Sequence, residues 1–349
     1  MHHDILLTVD YHDQNCVIRK HERATGREQV LSVPTTAQSL NQVVDQAQAQ
    51  AGPQGKVVWL QESTTGWARV QELLGSRTEF LLANVLQMPL PPKARRRKTD
   101  KVDTARLQRE YLTDQLPLAH QPPASWRQLR RLVAFRENLV SRRTALRNWI
   151  NRYLAHETWE ERIGLWSAKG QRRLRALLSS LPATDAVILK AKLDELERLQ
   201  EQGQQVEAEL HKAYQQNPEA QRLDAIKGID VIGAISIVAR IGPIGRFRSA
   251  EELIAFAGLA PGVQQSDQSR RDGHIGGGGT DGHLRHYLIE ASVWVRHLPR
   301  YRPTSERVEQ RRGKKIARLV VARMLVRSIY KMLRDGVAFA PAVAKKAGK

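Results

Sequence analysis

Four acidic residues in this sequence have the types and positions that a metal-dependent site requires. Asp10 closes the apolar stretch DILLTV, and Glu62 closes the apolar stretch KVVWLQ. Asp100 and Asp103 follow the basic run ARRRK and would share one face of a helix. Carboxylates from two strands and one helix can converge at the carboxyl edge of a sheet, where they repel one another unless a cation joins them.

This ligand set favours a hard divalent cation. Oxygen ligands without cysteine or histidine select Mg²⁺ or Mn²⁺, and paired ions of this kind serve in-line phosphodiester chemistry. The arginines before Asp100 would bring the phosphate backbone to the metal. We therefore predict that all four acids are metal ligands and catalytic residues. The alternative is local: Asp100 caps a helix with Asp103 in its first turn, Asp10 lies in a turn, and Glu62 is a surface acid.

The charge of the chain is unevenly distributed. Lys and Arg number 56 against 36 Asp and Glu, formally +20, yet residues 1–92 hold 7 basic and 9 acidic residues. The remainder therefore carries a formal charge of +22. A near-neutral head with a cationic body predicts a polyanionic partner. Nucleic acid fits better than a membrane surface, because arginine dominates and is interleaved with tryptophan and tyrosine.

Composition also narrows the class of protein. The single cysteine, Cys16, excludes an internal disulfide framework and a cysteine-cluster zinc site, and it fits a reducing compartment. No apolar run is long enough to span a bilayer, and the start MHHDILLTVD lacks the layout of a signal peptide. We therefore expect a cytoplasmic protein that acts at the nucleoid and has no membrane partner.

Arginines supply most of the predicted nucleic-acid contacts. Residues 127–152 hold eight arginines and one acid, Glu137, on a helical apolar period. A helix of one charge sign suits the backbone of A-form RNA or a heteroduplex. The alternative is a solvated helix face. The predicted contact residues are Arg95, Arg96, Arg97, Arg127, Arg130, Arg131, Arg142, Arg143, Arg147, Arg270, Arg271 and Arg285.

A second candidate contact is the segment LDAIKGIDVIGAISI, which looks like a helix-hairpin-helix element. The turn of such an element presents backbone N–H groups to phosphate. Asp230 occupies a position where a second glycine is frequent, so a purely structural role is an equal alternative.

Periodicity predicts three domains. Residues 1–115 alternate strands and helices, which favours a mixed or parallel α/β sheet with helices on its faces. Residues 116–216 are predicted to be helical, and residues 217–349 are predicted to form an all-α domain. The predicted strands are DILLTVDYH, NCVIRKHE, KVVWLQES and EFLLANVLQ.

The middle segment contains an imperfect heptad pattern. Leu189, Leu196 and Leu210 occupy one seam position, and Leu199 and Val206 occupy the other. The pattern indicates a long antiparallel helix pair or a coiled-coil arm, with a plain helical bundle as the alternative.

Two serines lie in a polar, Gly-rich segment, FAGLAPGVQQSDQSRRDGHIGGGGTDGHLRHYLIEA, predicted to be a loop between helices. A serine hydroxyl that attacks phosphate needs an activating base or metal and nearby cations. Arg270, Arg271 and Arg285 are close enough in sequence to Ser266 and Ser269 to supply the cations. From composition alone, a flexible surface loop with ordinary serines is the better interpretation.

The motifs together resemble a known family. They are TVDYH, LQESTTGW, RRRKTDKVDTARL, IKGIDVIGAISI, RFRSAEELIAFAGLAP and GHLRHYLIEA, in that order. This order is similar to that of the DEDD-type transposases of the insertion-sequence "one-ten" family, with its "eleven-eleven" subgroup and the related pilin-gene invertases. The resemblance covers nearly the whole chain.

The resemblance implies a fold and a mechanism. It implies an N-terminal RNase H-like domain of the Holliday-resolvase kind, in which the four acids match the DEDD metal ligands, then a coiled-coil arm and a helical transposase domain. It implies that Ser266, with Ser269 as a rival, attacks DNA and leaves a transient phosphoserine link. Further implications are a structured bridge RNA that pairs with donor and target DNA, and a tetramer, a dimer of dimers, with composite sites.

The sequence departs from the family pattern in the serine segment. No Lys or Arg lies between Arg271 and Arg285, and His283 stands where Asn is common. The leading hypothesis is a site-specific DNA recombinase. Two alternatives share parts of the evidence: a hydrolytic, resolvase-like nuclease that needs no serine, and a non-catalytic basic RNA-binding scaffold.

Overall fold

A computed structural model describes residues 3–64, 66–88, 100–157, 164–266, 269–276 and 279–339, with only the backbone described for 100–102, 157, 261–266 and 269–275. The chain forms two compact units, Met1–Gln121 and Pro122–Lys349. The finer division into three domains, with boundaries after residues 115 and 216, remains a prediction.

The N-terminal unit is built on a five-stranded mixed sheet. Its strands are β1 (Ile5–Tyr11), β2 (Asn15–Glu22), β3 (Glu28–Pro34), β4 (Val57–Glu62) and β5 (Glu79–Ala83). The strand order is β3-β2-β1-β4-β5, in which β2 is antiparallel to β1 and β3, whereas β4 is parallel to β1 and β5. The predicted mixed α/β sheet is confirmed, and this topology is consistent with an RNase H-like fold.

Three helices cover the two faces of this sheet. They are α1 (Ala37–Ala51), α2 (Trp67–Leu74) and α3 (Asp100–Leu112). Alternate residues of β1 belong to different apolar clusters, as expected for a strand buried on both faces. Ile5 and Leu7 pack with the buried residues of α1 and α2, whereas Leu6 packs with Leu107 and Tyr111 of α3.

Two details of the sheet differ from the sequence predictions. Strand β3 was not predicted, because it is a mostly exposed strand at the edge of the sheet, where few apolar residues mark a period. Strand β5 ends at Ala83, earlier than predicted, and the N–H of Asn84 donates to the carbonyl of Pro117 at 2.7 Å.

The C-terminal unit is mostly helical. Its helices are α4 (Ala124–Glu157), α5 (Ala168–Leu177), α6 (Ala183–Gln215), α7 (Pro218–Asp224), α8 (Val231–Ile241), α9 (Ala250–Phe256), α10 (Gly282–Val295) and α11 (Arg302–Asp335), the last with a kink at Gly313. One apolar cluster contains residues from α4 through α11. None of the helices in the described part of the chain combines the length and the hydropathy needed to cross a membrane.

Helices α4 and α6 pack against each other in opposite directions. Arg136 pairs with Glu207 at 2.8 Å, and Tyr153 donates to Asp185 at 2.6 Å, so residue numbers rise along one helix as they fall along the other. The five predicted seam residues are the buried residues of α6. A separate coiled-coil arm remains a prediction, because both helices share their apolar cluster with later helices.

The all-α prediction for residues 217–349 requires one correction. Strands β6 (Pro261–Ser266) and β7 (Ser269–Ile275) form an antiparallel two-stranded sheet where a loop was predicted. No strand was predicted here because glycine and proline interrupt the segment and its polar residues do not alternate with apolar ones.

Candidate functional site

Strand register brings the first two predicted ligands to the same edge of the sheet. In the parallel pair of β1 and β4, Val9 is the partner of Gln61, so Asp10 and Glu62 follow at the same level on neighbouring strands. Such strands lie about 4.8 Å apart. Asp10 lies two residues beyond Thr8, and Glu62 lies two residues beyond Leu60. Thr8 and Leu60 are buried on the face of the sheet that α3 covers, and both acids are partly buried.

Helix α3 runs antiparallel to β1, which directs its first turn toward this edge. The ring of Tyr111, near the end of α3, lies 5.4 Å from the ring of His3, just before β1. Leu107 packs on the sheet, and Asp103 is one turn away on the same helix face, partly buried. The helix rises about 6 Å between these two residues, toward the carboxyl edge. Asp100 is the first residue of α3; its side chain lies outside the described part, so the capping alternative stays open.

The acids at this edge interact with neighbours that sequence reasoning did not identify. His12 Nε2 lies 3.3 Å from Asp10 Oδ2, and the Asp10 side chain is 16% exposed. Burial raises the pKa of the Cys16 thiol, and the charge of Asp10 raises it further. In the sequence, the spacing of Asp10 and His12, two residues apart, is the only signal for this pair.

The donor chemistry of this edge fits a hard cation. The three acids with described side chains offer only oxygen ligands, which suit Mg²⁺ or Mn²⁺. Among the side chains that the structure describes, no three His, Cys, Asp or Glu residues are grouped closely enough to hold a metal ion. Asp10, Glu62 and Asp103 therefore do not form such a group by themselves, and the side chain of Asp100 lies outside the described part.

The two candidate nucleophiles occupy the tip of the β6–β7 hairpin. Ser266 and Ser269 are partners in the strand register, separated by residues 267–268, which lie outside the described part. Arg270 and Arg271 follow on β7, opposite Gln265 and Gln264. For these residues the backbone alone is described, so the choice between the two serines remains a prediction.

Arg285 closes the base of this hairpin. The N–H of Gly276 donates to the carbonyl of Gly258 at 3.0 Å, and both glycines have positive φ, +88° and +67°. A Cβ built on either glycine would lie 2.6 Å from Nη1 of Arg285. Positive φ favours glycine at both positions, and a Cβ there would also have to displace the guanidinium at the end of the flexible Arg285 side chain. Nη1 of Arg285 is buried without a hydrogen-bond partner in the described part of the chain.

An ion network links α4 to the helix that follows the hairpin. Glu137 is buried and pairs with Arg240 of α8, and Arg240 contacts Asp281 at 3.3 Å. Asp281 caps α10 by accepting from the N–H of Leu284. Nδ1 of His283 lies 3.3 Å from Glu137. His283 therefore has a described partner in its own chain, which sequence reasoning missed because these residues are far apart in the chain.

The predicted arginine contacts fall into several groups. Arg130 donates at 2.7 Å to the carbonyls of Ala239 and Arg240, and burial lowers the pKa of its guanidinium. These bonds give Arg130 a structural role, and its contact with nucleic acid stays a prediction. Arg127 donates to the carbonyl of Pro122 at 2.8 Å. Arg147 lies over the ring of Trp166, 5.0 Å from its centre.

The remaining predicted arginines differ in exposure. Arg131 and Arg142 are exposed and Arg143 is partly buried. The basic run 95–97 lies outside the described residues. In the proposed helix-hairpin-helix element, Asp230 caps α8 by accepting from the N–H of Gly233 at 2.6 Å, which gives this unexpected acid a structural role.

Two family models match the chain. A DEDD-type model of the IS110 group, described as a transposase, matches residues 9–157. A second model, described as the transposase IS116/IS110/IS902 family, matches residues 220–307. The first match includes the four predicted acids, and the second includes both candidate serines.

Individual relatives carry the same description. The transposase for insertion sequence element IS1111A of Coxiella burnetii is 32% identical over 138 residues, 37% of this chain and 36% of that protein. A probable family 20 transposase of Pseudomonas aeruginosa is 31% identical over 45% of this chain and 47% of its own length. A putative transposase, y4pF/y4sB, of Sinorhizobium fredii is 24% identical over 78% of this chain and 71% of its own length.

The matched segments thus span less than half of the first two relatives, and about seven-tenths of the third. The two family models match separate parts of the chain, in both compact units, and the relatives are likewise named transposases. On these grounds the chain is similar to the IS110 family of transposases over most of its length.

Proposed function

We propose that this protein cuts and rejoins DNA strands as a transposase, with Asp10, Glu62, Asp100 and Asp103 as its metal-binding carboxylates. The observation that carries the proposal is the register of β1 and β4, which places Asp10 beside Glu62 at the sheet edge toward which α3 begins. Four carboxylates brought together from three elements would repel one another without a cation, so we propose a metal ion as the group that joins them at this edge.

The proposed role of each group follows from its position. Asp10 and Glu62, on rigid neighbouring strands, would fix the cation, and Asp103 with Asp100 would complete its oxygen ligands from α3. When bound, a divalent ion supplies Lewis acidity to the scissile phosphate. His12, within 3.3 Å of Asp10, would orient that carboxylate by hydrogen bonding, as outer partners of metal ligands do.

The finer proposal adds a serine nucleophile. The Oγ of Ser266 forms a bond to phosphorus while the bond between phosphorus and the departing DNA oxygen breaks. The serine proton passes to a base, and the departing DNA oxygen takes up a proton to become a free hydroxyl. In rejoining, such a hydroxyl attacks the phosphorus of a phosphoserine link, and the serine oxygen leaves and is reprotonated. Support comes from the family match over residues 220–307 and from the position of Ser266 at the hairpin tip. Ser269, its register partner, is the second candidate.

The proposal extends to partners. We propose donor and target DNA as substrates, a structured bridge RNA as the guide, and a tetramer in which the carboxylates of one chain serve the serine of another. The formal charge of +22 outside residues 1–92 supports a polyanionic partner. RNA co-purifying with the protein, with sequence matching DNA beside its gene, would test the guide.

One experiment tests the carboxylates. Cleavage of DNA from the ends of the element is measured with Mg²⁺ for wild type, Asp10→Asn, Glu62→Gln and the control Glu79→Gln. Glu79 begins β5, at the opposite edge of the same sheet. We expect losses of at least about 100-fold in the first two variants and none in the control. Unchanged cleavage in Asp10→Asn at a normal melting temperature would remove the metal site from the mechanism.

A second experiment tests the serine. Denaturing gels with labelled DNA would detect a protein–DNA adduct, which Ser266→Ala should abolish and Ser269→Ala should retain. Loss in Ser269→Ala alone would reassign the nucleophile. Cleaved DNA with no adduct in any variant would instead support a hydrolytic nuclease that depends on the carboxylates alone.

A further inference from the structure

The two sides of helix α4 use their arginines differently. Arg130 and Arg136 turn inward, to the carbonyls of α8 and to Glu207 of α6. Arg131, Arg142 and Arg152 are exposed, and none of them has a hydrogen bond or ion pair with the residues that the structure describes. The half-buried Arg130 and Arg136 thus form hydrogen bonds that stabilise the fold, whereas the three exposed arginines can contact a partner.

The exposed arginines lie along one strip of the helix. Arg131 and Arg142 are eleven residues apart, three turns plus about 20°, and Arg152 is rotated from Arg131 by about 60° in the opposite sense, so the three lie within about 80° of the helix circumference. The strip extends about 32 Å, with successive arginines about 15 to 17 Å apart along the helix axis. That length is close to one turn of a B-form DNA duplex, about 34 Å.

The same strip excludes acids and includes an aromatic ring. Phe135, one turn from Arg131, is 47% exposed. The other exposed residues of the strip, Asn138 and Ala145 among them, are uncharged. The only acid between residues 127 and 152, Glu137, is buried and paired with Arg240. A face maintained only for solvation would normally mix both signs.

We propose that the strip of α4 formed by Arg131, Phe135, Arg142 and Arg152 binds the phosphodiester backbone of a nucleic-acid duplex. The arginines contact phosphates over one duplex turn, and Phe135 stacks on an unpaired base where the duplex ends or bulges. This inference rests on the proposed function and adds a surface that binds nucleic acid without including the carboxylates or the candidate serines. Its two possible sources, guide RNA and element DNA, share the same backbone chemistry.

The test removes the three cations and compares matched variants. The full-length triple variant Arg131→Gln, Arg142→Gln, Arg152→Gln is compared with Lys190→Gln, Lys192→Gln, Lys212→Gln, which removes equal charge from α6. Affinity is measured in EDTA from 0.1 to 0.5 M salt, for an RNA hairpin and a DNA duplex of matched sequence. Because EDTA prevents metal-dependent cleavage, failure of the proposed chemistry cannot alter this result.

We expect the arginine variant to lose about 100-fold in affinity at 0.15 M salt for at least one duplex, and its log–log salt dependence to flatten by about 2 to 3. The lysine variant should change both by much less. Equal losses in the two variants, or an unchanged salt slope, would overturn the proposal. Binding of the same two variants to phosphatidylserine vesicles is measured as well, and a loss confined to the vesicles would also overturn the proposal and make the strip a membrane surface.

The duplex that loses more affinity identifies the source. Phe135→Ala should weaken binding to the looped RNA hairpin more than binding to blunt DNA if the ring stacks on an unpaired base. Equal weakening of both probes would show that the ring only supports the arginines. Normal circular dichroism of each variant confirms that α4 remains folded.

Discussion

In the N-terminal unit, Asp10 and Glu62 stand at the edge of a sheet, whereas in the helical unit Glu137 is enclosed among cations of its own chain. Asp10 has a half-exposed histidine as its neighbour, and Glu137 has Arg240, which also holds Asp281. The first arrangement keeps the carboxylate near solvent and a substrate. The second joins helices α4, α8 and α10. The role of an acid in this chain is therefore indicated more by the side chains that it contacts in the fold than by the residues next to it in the sequence.

The cost of removing each acid should differ for the same reason. A buried charge that loses its partner is left without water to solvate it, whereas a carboxylate at a sheet edge can be replaced with small effect on folding. The comparison can be tested by asking which substitutions reduce stability and which reduce only activity.

The largest expected effect is on the buried network. Glu137→Ala should lower the free energy of unfolding of the helical unit by about 3–5 kcal/mol, because Arg240 is left buried with incomplete compensation. Hydrogen exchange of the α8 amides and chemical denaturation would measure this loss. Asp10→Asn should change stability by less than about 1 kcal/mol while it abolishes cleavage.

An exposed pair provides the control for this prediction. Glu306 pairs with Arg302 at 2.7 Å on the surface of α11, and Glu306→Ala should cost no more than about 0.5 kcal/mol. If Glu137→Ala were no more harmful than Glu306→Ala, the network would not join the helices. If Asp10→Asn unfolded its unit, the proposed separation of function from stability would be wrong.

The next effect concerns the base of the serine hairpin. Gly276→Ala should destabilise the hairpin by at least about 1–2 kcal/mol, since a left-handed backbone is unfavourable for alanine and its Cβ would approach Arg285. Hydrogen exchange of the amide at position 276, which donates to the carbonyl of Gly258, would measure this loss in both proteins. Gly203→Ala is the matched control: no atom lies within 4 Å of its Cβ position in α6, so we expect stabilisation by about 1 kcal/mol. Destabilisation by both variants alike would contradict the special role of Gly276.

The smallest effect tests the docking of α3. Burial raises the pKa of Tyr111 from 10.0 to about 12. The neutral phenol is therefore favoured in the folded state, and this stability is complete below pH 10 and lost as pH rises through 12. At pH 11 the loss is about 1.4 kcal/mol.

Comparison with Tyr111→Phe isolates this titration from that of other groups. Between pH 9 and pH 11, the free energy of unfolding of wild type should fall by about 1.4 kcal/mol relative to that of Tyr111→Phe. A difference independent of pH would mean that α3 does not shield Tyr111, and the direction assigned to α3 toward the carboxylates would lose support.

Much of the local structure could be predicted. The strands β1, β2 and β4 and the start of α3 at Asp100 follow from apolar runs and flanking polar residues, and the heptad residues Leu189 to Leu210 are buried as expected. Strand β3 and the β6–β7 hairpin could not be predicted, because their backbones are stabilised by pairing with neighbours rather than by a strong apolar period.

The sequence by itself determined which residues had the chemistry for a metal site, where the cationic helix lies and which residues of α6 are buried, because these depend on residue types and short-range periods. Only the tertiary structure decided that Asp10 lies beside Glu62, that Arg130 donates to carbonyls of α8, and that Glu137 pairs with Arg240, 103 residues later. Such pairings depend on strand register and helix packing between distant segments, for which a single sequence carries no local signal.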